Sequence, residues 1–217
     1  MRCRIYAFTV AVLLAWMKSA SAQGTFQNLS FEDGVVVPIP DDPFGRVQFS
    51  SAMPGWVGYL GENQIDWLLY NFLFLSDAGI AIWGPNQPQA GLFHGQFYLV
   101  MQNAFPVPTV SPAIAQIGTV PATAQSLRFY LAQGDMVVSF NGQALPLSVL
   151  GSAPTGNLYG ADISAFAGQT GELRFRGVGY LDHIQFSAEP IPEPGVLSLF
   201  ALGVWLLGWQ MHRRVAG

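Results

Sequence analysis

Cysteine and lysine occur once each in this 217-residue chain, histidine three times, and charged residues of all kinds make up only 10 %. Cys3 falls among the first residues, so everything after it must do without disulfides, thiol chemistry or cysteine metal sites. The histidines, His94, His183 and His212, are scattered, and no pair stands at the i, i+4 spacing that holds zinc on a helix. A Gly-x-Ser-x-Gly elbow, a phosphate loop and a dinucleotide fingerprint are all missing. From Gln23 to Pro194, thirteen carboxylates face only four arginines (Arg46, Arg128, Arg174 and Arg176), a formal −9. A body this acidic repels phosphate backbones, which excludes nucleic acid as a partner. Disorder is excluded from the opposite side, because it needs low hydrophobicity and high charge, whereas 51 % of this chain is hydrophobic.

The longest apolar runs lie at the two ends. Residues 1–22 have the layout of a secretory signal: Arg2 and Arg4, an apolar stretch from Ile5 to Trp16, then the small residues Ala20-Ser21-Ala22. About twelve apolar residues are too few to span a bilayer, so a signal peptidase is expected to cut before Gln23. Lys18 sits unusually, between the apolar stretch and that cut. At the other end, Pro192-Glu193-Pro194 interrupts any helix, since proline lacks an amide donor and drives its predecessor toward extended geometry. An uncharged stretch from Gly195 to Met211 follows, then Arg213 and Arg214. At about 1.5 Å per residue such a helix just crosses a thin hydrocarbon core, with the arginines held on the cytoplasmic side. Both ends predict the same topology, with the acidic body outside.

The sequence of Pro192-Glu193-Pro194, one apolar helix and the terminal Arg213-Arg214 pair resembles the bacterial PEP-CTERM family over about residues 190–217. That resemblance implies an exosortase-type sorting enzyme as a partner, which removes the tail and releases or transfers the protein. It also implies a host that makes extracellular polysaccharide.

Between the ends, roughly 170 residues are enough for one domain with a sizeable core. No segment sustains a helical period, and short β-rich runs alternate with Gly, Pro, Asn and Asp clusters, which predicts an all-β sandwich or barrel over residues 23–189. Phe97, Leu99 and Met101 share one face, as do Leu127, Phe129 and Leu131. Met136 to Leu147 reads as a hairpin with Asn141-Gly142 in a type I′ turn. Asp162 to Gln169 reads as a loop or single helical turn. The apolar run from Trp67 to Leu75 fits a buried strand or a short helix equally well.

Four pieces in order resemble the galactose-binding-like jelly rolls of extracellular bacterial proteins and carbohydrate-binding modules. They are Asn28-Leu29-Ser30-Phe31-Glu32, Pro54-Gly55-Trp56, Asp162 to Phe175, and Leu181-Asp182-His183-Ile184-Gln185-Phe186. The resemblance implies that the first and last pieces lie side by side, with Glu32 and Asp182 as candidate ligands of a structural calcium. His183 stands where many such domains carry a second acid, and calcium prefers several hard oxygens. Turn capping is the other reading of these two carboxylates.

Glu62, Asp66, Asp77 and Asp135 are carboxylates of the kind a glycosidase pairs, but their spacing singles out no pair, and a non-catalytic body is expected. The aromatics suggest binding instead. Sugar rings stack their C–H faces on Trp and Tyr, and Trp56, Tyr59, Trp67, Tyr70 and Trp83 crowd the first half. Core packing is the competing fate of a tryptophan in a sandwich. Trp56, Tyr59, Trp83 and Asn86 are the candidate carbohydrate contacts, with Trp83 and Asn86 the pair expected at the surface. The expectation is thus an exported surface or matrix protein binding extracellular polysaccharide. A structural or adhesive protein is the alternative, and a hydrolase a third.

Overall fold

The computed structural model describes residues 24–85, 87, 94–106, 110–153 and 156–192. The expected signal peptide, Asn86, Glu193, Pro194, the apolar stretch 195–211, Arg213 and Arg214 lie outside the described residues. Among the described residues no helix is long and apolar enough to cross a membrane.

The body is all-β, as the turn-punctuated sequence predicts. Its strands are β1 (Val47–Gln48), β2 (Val57–Leu60), β3 (Asn63–Ile65), β4 (Trp67–Tyr70), β5 (Gly79–Trp83), β6 (Tyr98–Gln102) and β7 (Pro112–Thr119). They continue with β8 (Ser126–Ala132), β9 (Met136–Phe140), β10 (Gln143–Leu145), β11 (Ser148–Ala153), β12 (Gly156–Asp162), β13 (Thr170–Gly177) and β14 (Gly179–Ser187). One sheet has eight strands in the order β1-β4-β5-β6-β14-β8-β12-β11, and the other has six in the order β10-β9-β13-β7-β2-β3. All neighbours run antiparallel except β4 and β5. The two sheets form a sandwich-like arrangement.

The period-2 pattern explains the packing. Leu127, Phe129 and Leu131 of β8, Leu99 and Met101 of β6, and Leu173 and Phe175 of β13 all enter one core cluster, and Phe97 packs against it. Asn141 and Gly142 both take positive φ, 50° and 77°, as the β9–β10 turn requires. The Asp162–Gln169 connection holds one 3-10 turn, Ser164–Phe166. The ambiguous Trp67–Leu75 run resolves into β4 followed by a loop, because Asn71 adopts a left-handed conformation, φ 62°.

On the outer side of the eight-stranded sheet a second cluster forms. Leu69, Ala81, Tyr98 and Val100 are buried there, flanked by Trp67, Phe72, Leu73, Phe74, Trp83 and Tyr180. These residues alternate with the core-facing Leu68, Ile80, Ile82, Leu99, Met101 and Leu181, so β4, β5 and β6 are apolar on both faces. That explains why β5 and β6 read as continuous hydrophobic runs.

Candidate functional site

Two places bring polar chemistry together, and each is positioned by identifiable local features. The first lies where the N-terminal loop meets β14. The β8–β14 register slips between Asp182 and Gln185, and His183 takes φ 50° inside that bulge. An extra residue in one strand re-aims the neighbouring side chains. The bulge also hooks the N-terminal loop, since the Ile184 N–H donates to the Leu29 carbonyl at 2.9 Å. Asp182 is fully buried, and its two oxygens accept the backbone N–H groups of His94 (2.8 Å) and His183 (2.6 Å). Glu32 Oε1 accepts those of Gln96 (2.9 Å) and Phe97 (2.8 Å).

The short segment from His94 to Phe97 therefore bridges both carboxylates. Gly95 lets it approach, because its φ is +76° and an added Cβ would stand 2.3 Å from Glu32 Oε1. The His94 and His183 rings stack above at 3.9 Å. Burial pushes the Asp182 carboxyl up to about 7; its two amide donors pull the other way, and the nearby Glu32 charge adds to the rise. Burial and the neighbouring His94 push the His183 imidazole down.

Glu32 and Asp182 do come together, as the jelly-roll resemblance implies, but these residues fit calcium poorly. Calcium takes six to eight oxygens, and here three of the four carboxylate oxygens already accept backbone N–H groups. The buried Asn28, four residues before Glu32, has an Nδ2 with no partner among the described residues, a donor that a cation would not accept. Among the described residues no group of three His, Cys, Asp or Glu side chains forms a metal set. Four backbone amides already face the two carboxyl groups.

The second place is a groove of about 950 Å³ beside the outer cluster of the eight-stranded sheet, reaching from Trp83 on β5 across β6 to Tyr180 on β14. Asn71 brackets Trp83 from both sides: its N–H donates to the Ile82 carbonyl at 3.1 Å and its Oδ1 accepts the Gly84 N–H at 2.8 Å. The indole ring lies 5.9 Å from Tyr180, tilted by 34°, and 6.0 Å from Tyr98, edge-on. Gln102 Nε2 donates to the Phe74 and Asp77 carbonyls at 2.9 and 2.8 Å, which pins the Phe72–Asp77 loop as one wall. The Phe105 N–H, donating to the Ser76 carbonyl at 3.0 Å, ties that wall to the next loop. Asn103 and Gln133 add amide side chains to the lining.

No protein-family model, curated protein or solved structure matches this chain.

The four expected carbohydrate contacts do not make one site. Trp56 is 4 % exposed; it packs on Phe31 and Phe175 and its Nε1 donates to the Asn28 carbonyl at 3.0 Å. This corrects the expectation of a contact there, since a ring enclosed by the core has no face to offer a sugar. Tyr59 stands on β2 of the other sheet, with the Arg174 guanidinium 4.3 Å above its ring. That separates it from Trp83, on β5 of the eight-stranded sheet. Trp83 lines the groove, and Asn86 lies outside the described residues.

Sequence reasoning passed over Tyr180, Asn103 and Gln133. Tyr180 was within reach, because counting back by two from Asp182 on β14 puts it on the outward face. Asn103 and Gln133 sit in loops, where no periodicity marks them. Of the carboxylates considered for hydrolysis, Glu62 is bound to Arg176 at 2.8 Å. Among the described residues, Asp77 is the only acid lining a smaller hollow of about 490 Å³ beside Arg46 and Trp67.

Proposed function

We propose that this chain is an exported, non-catalytic surface or matrix protein that binds carbohydrate in the Trp83–Tyr180 groove. In this reading the sandwich is a galactose-binding-like jelly roll. Signal peptidase removes residues 1–22, and an exosortase-type enzyme processes the segment 190–217, which carries Pro192-Glu193-Pro194, the apolar stretch and Arg213-Arg214. The mature protein then works at the cell surface or beyond it.

The single observation carrying the binding role is a partly buried tryptophan, packed against two tyrosines, along a groove whose polar side chains are amides and hydroxyls. Aromatic faces meet the C–H faces of sugar rings, and amides bond the hydroxyls, so the groove has the two kinds of contact a glycan needs. A glycan array probed with the mature protein should give specific spots that fade on Trp83→Ala. An array blank for the wild type sinks the binding role. Mass spectrometry of the protein from its native cells tests the export role, with the expected species beginning at Gln23 and lacking the apolar tail.

A structural or adhesive role is favoured by one other observation. Ile117 and Val137 are 73 % and 58 % exposed, on the two strands that flank β13 in the six-stranded sheet. Concentration-dependent self-association without any glycan signal would select that reading.

A further inference from the structure

The groove has a chemical bias beyond being aromatic. Among the described residues that line it there is no Asp, Glu, Lys, Arg or His, although the surrounding body is strongly acidic. The arginines of the body are committed elsewhere: Arg46 to Asp42, Arg128 to Glu189, Arg174 to Glu172 and Arg176 to Glu62, at 2.6–2.9 Å. The body holds no lysine. An anionic sugar would therefore meet no uncommitted cation in the groove and a repulsive field around it.

The polar side chains that line it are neutral: the amides of Asn103, Gln133 and Gln102, the last already donating to the Phe74 and Asp77 carbonyls, and the hydroxyls of Ser76 and Tyr180. The buried Asn103 Oδ1 has no hydrogen-bond partner among the described residues. Two apolar side chains, Leu75 and Phe105, are 93 % and 74 % exposed on the loops that wall the groove. A volume of about 950 Å³ lies at the top of the roughly 300–1,000 Å³ usual for ligand clefts, which is room for several sugar rings.

We propose that the occupant is an uncharged oligosaccharide segment, with C–H-rich faces set against Trp83, Leu75 and Phe105 and its hydroxyls on the groove amides, and not a uronate- or sulfate-bearing polymer. This deepens the carbohydrate-binding reading and rests on it.

The test is affinity electrophoresis of the mature protein through gels carrying a neutral polymer (hydroxyethylcellulose, mixed-linkage β-glucan or galactomannan) or an acidic one (alginate or polygalacturonate). The expected result is retardation by at least one neutral polymer, with acidic polymers weaker by about tenfold or more. Neutral binding should be nearly unchanged between about 20 and about 500 mM salt, because no ion pair is made. Leu75→Ser and Phe105→Ser alter exposed side chains and leave the core intact, so each should weaken retardation several-fold while the unfolding midpoint stays put. Tighter binding of the acidic polymers, or affinity that falls steeply with salt, overturns the neutral-ligand inference and leaves the glycan reading standing. Retardation by no polymer at all overturns the glycan reading beneath it. A dimer abolished by Leu75→Ser would make a second copy the occupant and overturn both.

Discussion

Trp56 and Trp83 are the same residue in two different situations, and the contrast shows how a sandwich sorts its aromatics. Trp56 follows Gly55 into β2 and points between the sheets, where its ring meets Phe31 and Phe175 and its N–H finds the Asn28 carbonyl. Trp83 ends β5 on the outer side, where Tyr98 and Tyr180 hold its ring while its N–H has no partner among the described residues. The first is complete within the protein. The second has its ring held by tyrosine contacts on a face that the protein leaves grooved.

The outer faces of the two sheets repeat the contrast. The six-stranded face carries Arg174 stacked on Tyr59 and paired with Glu172, and Arg176 paired with Glu62, so its polarity is balanced internally. The eight-stranded face is neutral and aromatic around the groove.

The sharpest way to break this comparison is to truncate each tryptophan. Trp56→Ala should destabilise the fold by about 3–5 kcal/mol in urea denaturation, through the cavity and the orphaned Asn28 carbonyl. Trp83→Ala should cost less than half as much, while removing glycan retention. Equal costs would mean that Trp83 is as much a core residue as Trp56.

Next in size is the buried carboxylate. Asp182 ionises near 7 in the folded protein, against 3.8 for the ordinary side chain, so unfolding releases its proton across that interval. Stability should therefore fall as pH rises from about 4 to about 7, by about 3 kcal/mol. His183, whose pKa burial lowers, acts in the opposite sense, costing stability as pH falls through the unfolded-state value near 6.5. Asp182→Asn should abolish the first trend and leave only stability that rises with pH. An unchanged profile would remove the proton-linked role from this corner.

Gly95→Ala comes third. It places a methyl group against Glu32 at a positive φ and should cost roughly 1–3 kcal/mol, read as a lower denaturation midpoint, without affecting the Trp83 groove. Smallest is Arg176→Ala. Its partner Glu62 is largely exposed, and pairs of that kind contribute little, so the midpoint should not move within error.

Much of the fold was legible from period and punctuation. Leu127-Phe129-Leu131 and Asn141-Gly142 announced a strand face and a turn because side-chain alternation and positive φ are local properties of the chain. The meeting of Glu32 and Asp182 was legible only through resemblance, and the bulge at His183 that re-aims β14 left no mark in composition. The aromatic crowding of the first half was visible, but not its partition: Trp56 went inward, Tyr59 to one sheet and Trp83 to the other.

By itself, then, the sequence determined the class of structure, the acidity of the body and the absence of cysteine and lysine chemistry in it, since each follows from residue type and spacing. Tertiary structure alone decided which aromatics share a face. That choice depends on which strands become neighbours, and β14 reaches β6 and β8 across at least 78 and 48 residues of chain. No local periodicity encodes a pairing over that distance, so only the folded sheets could place Tyr180 beside Trp83.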